Sequence, residues 1–255
     1  MGYDLDRRTV LGASAAFAAS GSALAQTATP RQKGPRVWLD LDQQELDDAY
    51  DQSKYAANLQ QIVKRYTTNS EQVRARLGAP KRLAYGSTPI EGLDLYPTRK
   101  PNAPVHVFIH GGAWRSVLAK DSAYQAETFV NAGAHYVAVD FNNVIETKGD
   151  LMPMADQVRR AVAWIYRNAA SFGGDPNRIF LSGHSSGGHL AGVVLVTDWQ
   201  KEGLPKDVVK GGLCCSGMFD LKPVRLSARS SYVKFTDEME PVSYTHLTLP
   251  TIYSV

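Results

Sequence analysis

The chain has 255 residues, 44% of them hydrophobic and 21% charged, with a formal net charge of +3. That composition suits a globular protein long enough for one sizeable core, and the scattered lysines and arginines form no basic stripe, which argues against nucleic acid as a partner. No apolar run reaches the roughly 18 residues of a membrane-crossing helix, so no stable membrane span is expected, and no repeat or metal-ligand cluster stands out.

The first segment, "DRRTVLGASAAFAASGSALAQ", has a charged start at Arg7-Arg8, an Ala-rich apolar stretch and "ALA" before Gln26. This is the order of an export signal. The arginine pair before Thr-Val-Leu resembles a twin-arginine signal. That makes residues 1–25 a removable leader, the twin-arginine export machinery a partner, and the periplasm or the exterior the destination. Residues 26–36 read as a linker and 37–241 as the folded domain.

Two helical segments follow. "LDQQELDDAYDQSKYA" opens with Asp42 and Glu45 at capping-box spacing. "NSEQVRARLG" has Asn69 as its expected N-cap and Gly78 as its stop. Both are polar enough to lie on a surface, covering either the core edge or a pocket. From Lys81 the pattern changes. "RLAYGS" and "LDLYPT" read as an opening pair of strands, and "VHVFIH" and "HYVAVDFN" as short, nearly all-apolar parallel strands. "DQVRRAVAWIYRNAASFGG" reads as a helix with Val158, Ala161, Val162, Ile165, Tyr166 and Ala169 on one face. "DPNRIFLSG" leads into another buried strand, "GHLAGVVLVTDW" is a helix and "VKGGLCCSG" a further strand. The adjacent Cys214 and Cys215 are read as small core residues, since neighbouring cysteines bridge only with strain. Strands alternating with helices predict an α/β fold, a mostly parallel sheet with helices on both faces.

"FLSGHSSGGHLAG" holds three serines, of which only Ser185, between Gly183 and Gly187, fits G-x-S-x-G. A strand before it and a helix after it are the setting of a nucleophile elbow. The turn is tight enough to demand glycines, and the N–H of Ser186 at the helix start then points to where an oxyanion would form. "VFIHGGAWRS" follows an earlier strand, and a glycine pair at a strand end lets bare backbone approach a carbonyl oxygen. Gly112 and Ala113 N–H are the expected second donors, Gly111 shapes the loop, and His110 is structural.

With both motifs in order, the chain resembles the α/β-hydrolases of the hormone-sensitive-lipase-like esterase group, nearest the arylformamidase and carboxylesterase branch. The matching stretches are "AYDQSKYA", "IHGGAW", "VRRAVAWIYRNAASFGGDPNRIFLSGHSSGGHLAG" and "SGMFDL". The resemblance implies the α/β-hydrolase fold, no cofactor, and hydrolysis of a small-molecule aryl or acyl ester or an N-formyl aryl amide. Trp114 would wall the acyl pocket or simply pack beside the loop.

A serine nucleophile needs a histidine base and an orienting carboxylate, which in this fold come later in the chain. His189 lies on the helix after Ser185, whose axis carries it away from the hydroxyl. Asp220, in "SGMFDL", is the acid candidate, with a helix or turn cap, or a pocket-wall residue, as its other readings. His246 is the base candidate. It lies in "PVSYTHLTLPTIYSV", where Asp, Glu, Lys and Arg are absent from Val242 onward. That change of composition makes 242–255 a foreign-looking tail, so the expectation is an incomplete hydrolase domain whose last strands, acid and histidine are missing. The alternative to an enzyme is a non-catalytic hydrolase-like binding protein or an inactive fragment.

Overall fold

The computed structural model of the chain describes residues 31–236. The expected leader, the linker up to residue 30, the tail from 242 and His246 lie outside the described residues.

A short antiparallel ribbon, β1 (Arg36–Trp38) with β2 (Leu41–Asp42), starts within the expected linker. Helix α1 (Gln43–Ala49) carries the anticipated capping box: Asp42 Oδ1 accepts the Glu45 N–H at 3.0 Å, and Glu45 Oε2 accepts the Asp42 N–H at 2.9 Å. The next helix corrects the sequence reading. Helix α2 runs over Leu59–Leu77, so Asn69 sits inside it and Asn58 is its N-cap. The run Thr67-Thr68-Asn69-Ser70 has weak helix propensity and looks like a boundary. Tertiary hydrogen bonds hold it helical: Thr67 Oγ1 donates to Asp121 Oδ1 at 2.9 Å, and Ser70 Oγ accepts from the Tyr124 N–H at 3.0 Å. Gly78 ends the helix as expected.

The main sheet contains β3 (Lys81–Ala84), β4 (Gly92–Tyr96), β5 (Ala103–Ile109), β6 (His135–Val139), β7 (Gly174–His184) and β8 (Val209–Cys215), in the order β3-β4-β6-β5-β7-β8. The first two are antiparallel to their neighbours, and β6, β5, β7 and β8 are mutually parallel. Helices α3 (Ala126–Ala132), α4 (Met152–Asn168) and α5 (Ser186–Leu195) are the crossovers that parallel pairing requires, and α6 (Leu221–Leu226) follows β8.

Alternation along the strands sends apolar residues to both faces. Val105, Val107 and Ile109 of β5 join Val137 and Val139 of β6 in one core, which includes Val158, Ala161, Val162 and Ile165 of α4 and Leu190 of α5. Phe108, Tyr136 and Ala138 belong to the other, packed with Val73 of α2 and Ala126 of α3. The sheet is therefore covered on both sides. Strand β8 is less enclosed: Leu213 is 63% exposed and both cysteines are half-buried free thiols. Cys214 packs on the core, where burial pushes its thiol up to about 11.

Candidate active site

β5 and β7 are parallel neighbours in the register Phe108↔Ser182 and Ile109↔Gly183. Their C-terminal ends therefore deliver the 110–117 loop and Ser185 to the same edge of the sheet, where parallel α/β folds place their sites.

Ser185 has φ 57° and ψ −126°, a conformation that a side-chain-bearing residue adopts only when its surroundings enforce it. Its N–H donates to the Cys215 carbonyl at 2.8 Å, and its own carbonyl accepts the His189 N–H at 3.2 Å. At Gly187 any Cβ would run into the carbonyl oxygens of Ile109 and His110, so this glycine lets the helix start press against the loop. Gly183 is closed off in the same way by the Gly187 carbonyl. Ser185 is the N-cap of α5, yet its hydroxyl makes no capping hydrogen bond. It borders a cavity of about 240 Å³.

The facing loop is an unusual backbone run. Gly112 has φ +103°, and Ala113, Trp114 and Val117 have φ of 54°, 60° and 71°. The Gly112 carbonyl turns away to accept from the Arg115 and Ser116 N–H groups at 3.0 and 3.1 Å. Among the described residues, the N–H groups of Gly112 and Ala113 donate to no protein acceptor. Gly111 lies against the elbow, where an added Cβ would sit 3.2 Å from Ser185 Cβ. The Ser186 hydroxyl braces the loop by accepting the Trp114 N–H at 3.0 Å, and the Trp114 carbonyl accepts from Val144 N–H at 2.7 Å. The sequence motif assigns a role only to the Ser186 backbone; its hydroxyl ties the two halves of the site together.

His110 is buried beneath the loop. Its Nδ1 lies 3.1 Å from the Gly111 carbonyl, its ring stacks on Phe141 at 4.3 Å, and Nε2 lies 3.8 Å from Asp140 Oδ1. Burial lowers its pKa despite the pull of the Gly111 carbonyl and Asp140. Asp140 is itself held by Arg82 at 2.7 Å and by the Ala119 N–H at 2.6 Å. Trp114 is 2% exposed, with its ring edge-on to His189 at 5.6 Å. It packs under the loop, bordering a second cavity of about 430 Å³ and not the one in front of Ser185.

The other expected partners are elsewhere. Asp220 is the N-cap of α6, accepting the Lys222 N–H at 3.0 Å, and does not border the cavity. The cap reading therefore describes its contacts, and the structure does not bring it to Ser185. His189 is fully buried against Trp114. His106 bonds Ser182 Oγ at 2.9 Å and His135 accepts the Thr98 N–H at 3.2 Å. His184 borders the cavity, and burial holds its pKa below the usual range. Among the described residues no imidazole is hydrogen-bonded to Ser185 Oγ. Among them, too, no group of three side chains is placed to hold a metal ion.

Residues 93–213 match the BD-FAE family. Kynurenine formamidase of Danio rerio is 30% identical over 211 residues, covering 79% of this chain and 69% of that protein. The chain belongs to the hormone-sensitive-lipase-like α/β-hydrolases. Kynurenine formamidase of Salmo salar is 29% identical over 210 residues, with the same coverage. Among solved structures, a putative thioesterase from silicibacter sp. tm1040 superposes with a TM-score of 0.69 at 23% identity, covering 79% of this chain and 74% of that one. An esterase of Pyrobaculum calidifontis gives 0.55 at 19% identity, covering 74% and 71%. These likenesses share the fold.

Within this family member, the cover of the cavity comes from residues not singled out in the sequence. Leu59, Val63 and Tyr66 of α2 border it, with Tyr124 from the 3-10 turn Ala119–Gln125 and Arg229 from the turn Ala228–Ser231. The rings of Tyr66 and Tyr124 stack at 5.2 Å and 14°. Of the two roles open to these helices, α2 takes both, since Val73 of the same helix is in the core. Leu59, Val63 and Tyr66 lie in the part of α2 before Asn69, which the sequence reading left outside its helices.

Proposed function

We propose that the protein is a serine hydrolase that cleaves small aryl or acyl esters, or an N-formyl aryl amide, through an acyl-enzyme on Ser185. The observation that carries this reading is the strained backbone of Ser185, which leaves its hydroxyl uncapped at a cavity faced by the 110–117 loop. The hydroxyl oxygen attacks the carbonyl carbon and its proton passes to a base. The resulting oxyanion accepts hydrogen bonds from the Gly112, Ala113 and Ser186 N–H groups, and its collapse expels the alcohol or amine with a proton. Water then attacks the acyl-enzyme, and a second collapse releases the acid and restores the Ser185 hydroxyl.

Among the described residues no histidine is hydrogen-bonded to the Ser185 hydroxyl, and His246 is the base candidate that the sequence reading offers in this chain. If residues beyond 236 supply no base, the protein binds its ligand without turning it over. Residues 1–25 are read as a twin-arginine leader to the periplasm or exterior, which favours a general ester over a formyl amide. The test is turnover of phenyl acetate and formanilide by the chain and its Ser185→Ala variant. Loss of roughly 10³-fold or more is expected in the variant; undiminished turnover would sink the assignment, and the ratio of the two substrates separates ester from formyl amide.

A further inference from the structure

The Gly112 and Ala113 N–H groups lie on a segment with no helix or strand ladder to hold it. Gly112, Ala113 and Trp114 have φ of 103°, 54° and 60° in succession. Two of the three carry side chains, so this conformation persists only under restraint from outside the loop. The restraint is concentrated on Trp114, the residue that follows the two donors. Its N–H donates to Ser186 Oγ at 3.0 Å, its carbonyl accepts from the Val144 N–H at 2.7 Å, and its ring stands edge-on to His189 at 5.6 Å. Trp114, Ser186 and His189 are all buried.

Ser186 and His189 belong to the first turn of α5, three residues apart and so on one face of it. That turn therefore grips Trp114 at both its backbone and its ring. Ser186 also joins the two sides of the oxyanion site within one residue. Its N–H is the donor on the elbow side, and its Oγ, a few bonds away, holds the peptide that follows Ala113. Peptide units are planar, so only the two dihedrals of Ala113 separate that held peptide from the one carrying the Ala113 N–H. An alanine at position 186 keeps the donor N–H and removes the hook, which makes the two roles separable.

We infer that the Ser186 hydroxyl is a positioning group: through Trp114 it sets where the Gly112 and Ala113 N–H groups stand relative to the Ser186 N–H. This rests on the reading of those three N–H groups as the oxyanion donors of Ser185, and the test separates the two. Phenylphosphonate is a tetrahedral anion that can meet the donors without turnover or a base. It is titrated into the ¹⁵N-labelled Ser185→Ala chain and followed by amide resonances. The Gly112, Ala113 and Ser186 signals are expected to move along one binding curve. In Ser185→Ala/Ser186→Ala the residue-186 amide should still respond, the Gly112 and Ala113 shifts should collapse, and affinity should fall at least ~10-fold. Equal responses of all three amides in both backgrounds would overturn the inference and leave the donor reading standing, the hydroxyl then only satisfying a buried N–H. Loss at all three in the double variant would overturn it too, by showing that the elbow itself had moved. No response at any of the three in Ser185→Ala would remove the donor reading and the inference with it. Hydrogen exchange of the Trp114 amide in Ser185→Ala needs no second variant: protection of at least ~100-fold is expected, and exchange at the rate of an open amide would overturn the inference.

Discussion

The two strand-end loops and the cover above them reach the same cavity by different physics. The loops at the ends of β5 and β7 are backbone devices: Gly187 must be bare for Ile109 and His110 to approach, and Gly112 must accept φ +103°. The cover is a side-chain device. Leu59, Val63 and Tyr66 reach the cavity from one side of α2, and Arg229 from a turn after α6 is held by Tyr50 and Tyr232. A backbone device tolerates almost no substitution, because a carbonyl oxygen cannot step aside. A side-chain device can be trimmed, and its loss changes what binds more than whether the machinery exists.

The sharpest way to break this comparison is Gly187→Ala. The new methyl meets two backbone carbonyls, so we expect destabilisation of about 3 kcal/mol or more, with loss of turnover even where the fold survives. A denaturant titration with an unchanged midpoint would show that the elbow is not locked against the loop. Tyr66→Ala should be milder. Tyr66 borders the cavity, and losing one aromatic contact of about 0.5–1.5 kcal/mol with a bound aryl group corresponds to a rise of roughly 2- to 13-fold in KM for an aryl ester with kcat little changed. An equal fall in kcat would place α2 in the chemistry and erase the distinction.

The smallest effect serves as a control outside both regions. Glu91 is buried, and burial alone would raise its pKa; the Thr88 N–H and the Arg160 guanidinium outweigh burial and bring it from 4.5 to about 2. Because the folded value is depressed, its stabilisation is complete above the unfolded value near 4.5 and is lost as pH falls through about 2. Arg160 is half-exposed, so screening leaves about 1 kcal/mol at neutral pH. Glu91→Gln should lower the unfolding free energy by that amount at pH 7, and the gap to the parent should close as pH approaches 2. A gap that persists at pH 2 would show a packing effect and not a charge effect.

The same contrast explains what was legible in the sequence. Ser185, Gly183, Gly187 and the 110–113 loop were legible because backbone crowding restricts their residue types, and strand periodicity placed them at strand ends. The alternating strands and helices likewise predicted the two-faced parallel sheet. Tyr66, Tyr124 and Arg229 were not legible, since nothing local distinguishes a tyrosine that borders a cavity from one that packs a core. Asn69 misled for a related reason: Thr67 and Ser70 are kept helical by Asp121 and Tyr124, partners distant in sequence. Asp220 fits its cap position locally, and its spacing from the elbow carried no geometry.

The most direct test of Ser185 as nucleophile is a timed reaction of the purified chain with a fluorophosphonate, read by mass spectrometry on the tryptic peptide 179–201. Attack by an activated Ser185 hydroxyl expels fluoride and leaves the phosphonyl group on its oxygen. Rapid labelling of that peptide at Ser185 is expected, with none in Ser185→Ala. Labelling that persists in the variant, or a folded parent chain that stays unlabelled, would contradict the assignment of Ser185 as an activated nucleophile.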